Sequence, residues 1–260
     1  MRIAALQSNL IWENPDLNYS QFENKLLSLT PSADLIVLPE LFSSGFSMNT
    51  AAFSEPINGK GFQWMQKLSQ QTQSAIMGSI AVNEQNSTKN RLYTVFPDGR
   101  FCYYDKRHLF RMGQEDLHYR PGLAHRVFTH KGFSVMGLIC YDLRFPVWSR
   151  NQKLHSGYTY DLLVYVANWP ERRSLAWKSL LLARAIENQA YVVGLNRIGN
   201  DGNGISHAGE SLIIDPNGQI LAQGERHAES ILTCTLDIAR LQEIRSSFPV
   251  LRDADPFEFK

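Results

Sequence analysis

The sequence contains little cysteine, no excess of charge of either sign and no long apolar run. Its three cysteines, an odd number without a Cys-x-x-Cys pair or a Cys/His ligand spacing, exclude a disulfide framework and a structural zinc site. The formal net charge is +1, and Lys106-Arg107 and Arg172-Arg173 are the only tight basic pairs, so a nucleic-acid partner is not indicated. No apolar run approaches the roughly 18 residues that span a bilayer. The N-terminal segment turns polar too early for a signal peptide, and we expect a cytoplasmic protein with no membrane partner.

What the sequence does contain is typical of a soluble globular protein. Hydrophobic residues make up 43% and charged residues 20% of a chain of 260 residues, which is long enough to bury a large core. Strand-like and helical patterns mix from end to end without a low-complexity linker, which favours one α/β or α+β domain over residues 1–260. Residues 246–260 contain Phe248, Phe257 and Phe259 without periodicity and are interpreted as a docking tail.

Runs of β-branched and aliphatic residues predict the strands. They lie at 3–7, 34–38, 75–82, 92–96, 101–106, 133–140, 161–167, 191–197, 210–214 and 231–236. Pro97-Asp98-Gly99-Arg100 and Asp215-Pro216-Asn217-Gly218 have the composition of tight hairpin turns.

Helices are predicted where a capping residue precedes apolar residues at helical spacing. Asn14-Pro15 begins the first helix, residues 61–73 form the second, Ser174 is expected to cap the third, and residues 237–247 form the last. The third helix is expected to place five apolar residues mostly on one face: Leu175, Trp177, Leu181, Ala185 and Ile186.

Reactive side chains stand where three of the predicted strands end. Glu40 follows Pro39, which cannot donate to a strand ladder, and Cys140 ends an apolar strand just before a polar segment. Strand alternation places Tyr104, Lys106 and His108 on one face. Each of these alone is more simply a solvated cap, a surface lysine or an inert core thiol. Cys102 and Cys234, inside strand patterns without charged neighbours, are expected to be core residues.

Together these segments resemble the three catalytic blocks of the nitrilase superfamily of carbon–nitrogen hydrolases, in the same order. The blocks are Pro39-Glu40, Asp105-Lys106-Arg107-His108-Leu109-Phe110 and Gly137-Leu138-Ile139-Cys140-Tyr141-Asp142-Leu143-Arg144-Phe145-Pro146. The resemblance continues through Ala167-Asn168-Trp169-Pro170, Arg184-Ala185-Ile186-Glu187-Asn188 and Gly209 to Gly218, so it covers nearly the whole chain. It implies a four-layer αββα sandwich and an enzyme that needs no metal or organic cofactor.

The resemblance also implies roles for individual residues. Cys140 would be the nucleophile and Glu40 the residue that moves its proton, while Lys106 and the backbone N–H of Tyr141 would hold the oxyanion. The superfamily's second glutamate stands a few residues before an aromatic-x-Pro-Gly motif; Glu115 precedes Tyr119-Arg120-Pro121-Gly122, although Asp116 beside it leaves this assignment open. A second possibility is a Cys–His dyad in which His108 is the base; otherwise His108 is a hydrogen-bonded residue that supports the site.

The segments 41–48 and 140–151 look most like the omega-amidase branch, which hydrolyses the terminal amide of 2-oxoglutaramate and 2-oxosuccinamate. Such a small-molecule substrate carries a carboxylate far from the scissile amide, and Arg144 is the first candidate to bind it, since a guanidinium matches a carboxylate bidentately. Arg144 could instead pair structurally with Asp142 or Glu187. Three aromatic residues are candidates for the pocket wall: Phe46, Tyr104 and Trp169.

Other functions and the assembly state remain open at this level. The chain could be a non-catalytic relative, an acyltransferase that uses the same thioester, or a hydrolase of another small amide or an N-carbamoyl compound. The superfamily usually pairs protomers across a helical face, and the phenylalanines of the tail need an apolar surface, so we expect a homodimer with residues 246–260 in or beside the interface. The alternative is that the tail folds back on its own domain.

Overall fold

The computed structural model describes residues 1–29, 32–155, 157–255 and 257–258. Its strands are β1 (Arg2–Gln7), β2 (Leu35–Val37), β3 (Glu55–Pro56), β4 (Ala75–Glu84), β5 (Ser87–Val95), β6 (Phe101–Asp105), β7 (Val127–His130), β8 (Phe133–Ile139), β9 (Lys153–Leu154), β10 (Gly157–Tyr158), β11 (Leu162–Ala167), β12 (Tyr191–Asn196), β13 (Ile198–Asn200), β14 (Ser206–Ala208), β15 (Leu212–Ile214), β16 (Ile220–Gln223) and β17 (Ser230–Thr235). Its α-helices are α1 (Pro15–Leu27), α2 (Thr50–Phe53), α3 (Lys60–Thr72), α4 (Glu115–His118), α5 (Ser174–Asn188) and α6 (Ile238–Ser247).

Two large mixed sheets form the centre of the molecule. The first has the strand order β17-β1-β2-β4-β5-β6, with β3 also paired to β4, and the second has the order β16-β15-β12-β11-β8-β7. In the first sheet β1, β2 and β4 are parallel, and in the second β8, β11 and β12 are parallel. The remaining neighbours in each sheet, β3 apart, are antiparallel.

Side-chain alternation along the strands separates the layers. In β1, Ile3 and Ala5 join the core between the sheets, whereas Ala4 and Leu6 pack in the core that contains residues of α1 and α3. On the other side of the molecule, a Cβ atom at Gly194 of β12 would lie 2.3 Å from the Leu181 side chain of α5. The layers therefore run helix, sheet, sheet, helix, which confirms the four-layer αββα sandwich.

The two sheets approach each other closely near the site described below. A Cβ atom at Gly137 of β8 would lie 2.6 Å from the side chain of Leu92, which belongs to β5 of the opposite sheet. A larger residue at this position would push the sheets apart, so Gly137 sets the close packing directly behind the end of β8.

Most local predictions are confirmed. Each predicted strand coincides with an observed one, and the two hairpin turns are closed by backbone hydrogen bonds, from Phe96 to Arg100 at 2.9 Å and from Asp215 to Gln219 at 2.9 Å. Asn14 caps α1 through its side chain, which accepts from the Leu17 N–H at 3.2 Å.

Two predictions about α5 are wrong. Ser174 is not the capping residue; it is already helical, because the 3-10 turn Glu171–Arg173 leads directly into the helix. Trp177, Leu181 and Ala185 are buried as expected, but Leu175 and Ile186 are 78% and 54% exposed. These two residues lie too far round the helix to reach the sheet.

The C-terminal tail is partly folded back on its own domain. Leu251 is buried, and the Gln189 side chain donates to the backbone carbonyl of Phe248 at 2.7 Å, yet the Phe248 side chain is 71% exposed. Phe257 is half-buried, and Phe259 lies outside the described residues. In the part of the chain that is described, no helix combines the length and the apolar character needed to cross a membrane.

Candidate active site

Three strand ends bring Glu40, Lys106 and Cys140 together between the sheets. Glu40 follows β2, Lys106 follows β6 of the same sheet, and Cys140 follows β8 of the opposite sheet. Glu40 and Lys106 have no exposed surface, and the Lys106 Nζ atom lies 2.9 Å from the Glu40 Oε1 atom. Residues that are distant in sequence therefore form one buried, charged cluster.

The Glu40 carboxylate is held at both oxygens. Its Oε1 atom accepts from Lys106 Nζ at 2.9 Å and from the side-chain amide of Asn90 at 2.9 Å. Its Oε2 atom accepts from the backbone N–H of Asn168 at 2.8 Å, and the Asn168 side chain donates to the Glu40 carbonyl at 2.7 Å. The orientation of this carboxylate is thus fixed by groups from three different strands or strand ends.

Glu115 completes the cluster as the first residue of α4. Its Oε1 and Oε2 atoms accept from Lys106 Nζ at 3.0 and 2.9 Å, and its Oε2 atom accepts from the backbone N–H of Phe110 at 2.6 Å. Asp116 lies outside the cluster; its carboxylate is 3.9 Å from the guanidinium of Arg111 at the surface. Of the two neighbouring carboxylates, Glu115 is the one that contacts Lys106.

Burial and charge act in opposite directions on the ionisable groups of this cluster. Burial alone would lower the pKa of Lys106, but the Glu115 and Glu40 carboxylates outweigh it and hold that pKa well above its ordinary value. Burial raises the pKa of Glu115, with Lys106 opposing and Glu40 reinforcing this change. Lys106 is therefore a permanent cation placed between two carboxyl groups.

Cys140 lies in a sharp turn at the end of β8. It begins the 3-10 turn Cys140–Arg144 with a left-handed φ of 45°, a conformation that costs energy for any residue other than glycine. Asp142 ties this turn to the strand by accepting from the Ile139 N–H at 3.0 Å. The N–H of Tyr141 belongs to the first residues of the turn, which have no acceptor inside it.

The Cys140 thiol is neutral in the resting site. Burial raises its pKa well above the ordinary value, Glu40 raises it further, and Lys106 opposes them. A thiol in this state needs a base that removes its proton as it attacks, and Glu40 is a carboxylate held within the same cluster.

His108 supports the turn that carries Cys140. Its Nδ1 atom lies 2.8 Å from Asp142 Oδ1, its backbone N–H donates to the same atom at 3.0 Å, and its ring stacks on Phe145 with centroids 3.8 Å apart. Of the two interpretations of His108, this geometry favours the supporting one.

A cavity of about 360 Å³ opens beside Cys140. Of the three aromatic residues predicted for its wall, Phe46 and Trp169 line it, and Tyr141 lines it as well. Tyr104 is not among the lining residues, so its assignment to the wall is corrected: its side chain is buried behind the turn, where the hydroxyl donates to Asp142 at 2.8 Å. A buried tyrosine hydroxyl usually pairs with such an acceptor, and Asp142 provides one for Tyr104.

Arg144 faces the cavity and does not adopt the structural pairing considered from the sequence. Its guanidinium lies 5.0 Å from the centre of the Trp169 ring. Asp142 binds Tyr104 and His108, and Glu187 pairs with Arg184 at 2.8 Å. Within the described ranges no carboxylate forms an ion pair with Arg144.

The sequence interpretation missed two further cations in the cavity wall, the exposed Arg172 and the half-buried Arg173. The Arg173 guanidinium lies 5.2 Å from the centre of the Phe110 ring, and burial lowers its pKa, with the nearby Arg172 and Arg144 adding to the effect. The sequence shows Arg172-Arg173 as a tight basic pair, which by itself bears only on nucleic-acid binding. Its position directly before a helix, close after Trp169-Pro170, is the feature that could have indicated a pocket residue.

Asn90 and Asn168 were also missed as site residues. Asn168 stands in the resembling segment Ala167–Pro170, and Asn90 is a fully buried polar residue of β5. Such a residue requires hydrogen-bond partners, and here they are the site carboxylates. Across the described residues, no cluster of three or more His, Cys, Asp or Glu side chains is arranged to hold a metal ion.

Comparison with known proteins agrees with this geometry. The carbon-nitrogen hydrolase family model matches residues 2–246. The omega-amidase YafV of Escherichia coli (strain K12) is 46% identical over 99% of this chain and 98% of its own, and the 2-oxoglutaramate amidase of Bacillus subtilis (strain 168) is 35% identical over 96% of each chain. The crystal structure of XC1258 from Xanthomonas campestris, described as a CN-hydrolase superfamily protein with an arsenic adduct in the active site, superposes with a TM-score of 0.97 at 39% identity, covering 100% of this chain and 99% of that one. The chain therefore belongs to the carbon–nitrogen hydrolase family.

Proposed function

We propose that the protein is an amide hydrolase that releases ammonia from the omega-amides of 2-oxo dicarboxylic acids, 2-oxoglutaramate and 2-oxosuccinamate. The observation that carries this proposal is the buried cluster of Glu40, Lys106 and Glu115 beside Cys140, because Cys140 lines a cavity that Arg144 and Arg173 also line. Two full-length relatives bear the names omega-amidase and 2-oxoglutaramate amidase.

The first half of the reaction forms a thioester. The Cys140 sulfur attacks the amide carbon while the thiol proton passes to Glu40, which gives the otherwise neutral and weakly nucleophilic thiol its reactivity. Glu40 then delivers this proton to the amide nitrogen, the carbon–nitrogen bond breaks, and ammonia leaves. The acyl group remains on the sulfur.

The second half hydrolyses the thioester. A water molecule attacks the acyl carbon as Glu40 removes one of its protons, and the carbon–sulfur bond then breaks. The same proton returns to the Cys140 thiolate and restores the resting site, so the products are a carboxylic acid and ammonia, which become a carboxylate and an ammonium ion by proton transfer in water. No amine acceptor takes part in this sequence.

Both tetrahedral intermediates carry an oxyanion that needs donors. We assign this role to the Lys106 ammonium and to the Tyr141 N–H, which has no acceptor inside its own turn. Loss of one such donor typically lowers the rate by about 10²–10³-fold. Glu115 keeps Lys106 in place through contacts at 3.0 and 2.9 Å.

The cations of the cavity suit a substrate with a carboxylate at its far end. Arg144 lies close enough to Arg173 to help lower the pKa of the Arg173 guanidinium, and no acidic side chain in the described part of the chain forms an ion pair with either arginine. An anionic ligand would relieve this repulsion, and a guanidinium binds a carboxylate bidentately. We assign Phe46, Tyr141 and Trp169 to the walls that exclude water from the acyl chain.

An ammonia-release assay tests the proposal. The two omega-amides are compared with the same chains ending in a neutral group, with simple nitriles and with N-carbamoyl amines, all without an added amine. We expect kcat/KM for the anionic omega-amides to exceed that for the neutral amides by about 10²-fold or more, because the neutral ligand leaves the cavity guanidiniums unpaired. Faster turnover of the neutral amides or the N-carbamoyl compounds would refute the substrate assignment.

We further propose that this single domain acts in the cytoplasm as a homodimer, with residues 246–260 in or beside the interface. Exposed apolar side chains of the tail and of α5 support this, namely Phe248, Leu175 and Ile186. Light scattering at micromolar concentration should give about twice 29.6 kDa for the full chain, and Phe248→Ser should weaken association. A monomeric full-length protein would contradict the dimer.

A further inference from the structure

Asn90 joins the two carboxylates of the site. It is fully buried in β5, and its Nδ2 atom lies 2.9 Å from Glu40 Oε1 and 3.3 Å from Glu115 Oε1. A primary amide has two N–H donors, and here each has one carboxylate to accept it. Because both neighbours are acceptors, the nitrogen must face them. The Asn90 amide therefore bridges the same two oxygen atoms that Lys106 Nζ contacts at 2.9 and 3.0 Å.

The donors of Lys106 are fully used in the resting site. An ammonium has three N–H groups, and Lys106 Nζ makes three carboxylate contacts, one to Glu40 and two to Glu115. When one N–H turns towards the oxyanion, a carboxylate oxygen loses a donor. A buried carboxylate that loses its partner is strongly destabilised and tends to take up a proton.

We infer that Asn90 is a positioning residue that keeps Glu40 and Glu115 in place and ionised while Lys106 shares an N–H with the oxyanion. This inference rests on the proposed function, because it presumes the oxyanion step. It gives a buried asparagine, which has no other visible use for its amide, a role in every turnover.

The charges around the carboxylate pair make a neutral donor necessary. The groups that face the pair are Lys106, Cys140 and Tyr119, and Arg173 lies further out in the cavity wall. Burial raises the pKa of Tyr119, and Glu115 and Glu40 raise it further, so the Tyr119 hydroxyl stays neutral and adds no charge to the cluster. Its hydroxyl donates to the Ser47 carbonyl at 2.9 Å. One buried ammonium therefore serves two carboxylates. Asn168 and the Phe110 N–H donate to the Oε2 atoms, and Asn90 supplies the neutral donors to the two Oε1 atoms that Lys106 also contacts.

The test compares Asn90→Ala with Asn151→Ala. Asn151 is a matched control, because it is also fully buried and its amide also donates to two acceptors, the carbonyls of Tyr160 and Asn188, each at 3.0 Å. For Asn90→Ala we expect kcat to fall by about 10²-fold with little change in KM, since a misplaced base is costly to the chemical step. The acid limb of kcat/KM should also move up by about one pH unit, because removal of a hydrogen bond from a carboxylate raises its pKa.

The control variant Asn151→Ala should lower the melting temperature but leave the acid limb of the pH profile of kcat/KM unchanged. Asn90→Asp preserves the shape of the side chain but replaces the bridging donor by a third carboxyl group, and it should move the limb further than Asn90→Ala does. This second variant keeps the test decisive if Asn90→Ala does not fold.

An independent readout is the pH dependence of Cys140 alkylation by iodoacetamide, which requires no amide substrate. In the Asn90 variants, the pH profile of alkylation should shift in the same direction as the acid limb of kcat/KM. If the limb and the alkylation profile of the Asn90 variants match those of Asn151→Ala, the inference is wrong and the proposed function still stands. A wild-type protein that neither releases ammonia from any amide nor is alkylated at Cys140 would remove the proposed function and this inference together.

Discussion

His207 allows a quantitative prediction about stability. This residue of β14 also lines the cavity, is 2% exposed, and has its Nδ1 atom 3.3 Å from the Gly199 carbonyl. Burial lowers its pKa to about 4, with the nearby Arg197 guanidinium adding to this and Asp201 opposing it. The perturbation is His207→Asn, which removes the titrating group but keeps a donor on the Nδ1 side.

The sign follows from proton binding in the two states. A histidine in the unfolded chain has a pKa of about 6.5, so between there and the folded-state pKa of about 4 the unfolded chain binds more protons. The stabilisation is therefore complete above pH 6.5 and is lost as the pH falls towards 4. Linkage gives a loss of about 2.5 kcal/mol from this one residue at a pH of about 4.5, a large part of a typical folding free energy.

Urea denaturation measures the effect at a pH of about 7 and again at about 4.5. Other groups also titrate over this range, so the informative quantity is the difference in unfolding free energy between the wild-type protein and His207→Asn. This difference should shift by about 2–3 kcal/mol in favour of the variant on acidification. The same substitution at the exposed His155 should give no such shift. Stability curves for His207→Asn that stay parallel to those of the wild type would refute the argument.

The remaining predictions concern the site. Glu115→Gln should lower kcat by about 10²-fold or more, because a carboxylate that positions Lys106 is lost. Asp116→Asn should change steady-state rates by less than about twofold, and equal effects of the two substitutions would contradict the assignment of Glu115. Arg173→Gln should raise KM for 2-oxoglutaramate more than Arg172→Gln does, because Arg173 is half-buried beside Phe110 whereas Arg172, which also lines the cavity, is exposed. A neutral amide should not distinguish the two variants. Arg144→Lys should weaken binding of the same substrate, since an ammonium cannot reproduce a bidentate contact, and an unchanged KM would exclude Arg144 from carboxylate binding.

The fold was predictable to the extent that periodicity and turn chemistry determine it. The alternation in β1 that divides the cores and the Asp-Pro-Asn-Gly turn are local signals. The hairpin between β4 and β5 gave no such signal, because Gln85 and Asn86 adopt positive φ angles of 51° and 60° without a glycine. The pairing of β4 with β5, rather than a typical turn sequence, stabilises this turn.

The residues of the site also divide into those that a local sequence signal indicates and those that no such signal indicates. Glu40 and Cys140 stand at strand ends, where a reactive side chain interrupts an apolar pattern, so they could be found from the sequence. Asn90 lies within a strand and Arg173 in the 3-10 turn before α5, and their importance comes from contacts across long sequence separations. The wall assignment of Tyr104 was wrong because strand alternation gives the face of a side chain but not the partner of its hydroxyl.

The central claim is that Cys140 carries out the hydrolysis of a terminal amide. The most direct test is the rate of ammonia release from 2-oxoglutaramate by the wild-type protein and by Cys140→Ala, with the fold of the variant checked by circular dichroism. We expect the wild-type protein to release one ammonia for each 2-oxoglutarate formed. The variant should lose at least about 10⁴-fold in kcat, as removal of a nucleophile typically does. A folded Cys140→Ala protein that kept its rate within about tenfold of the wild type would contradict the thioester mechanism.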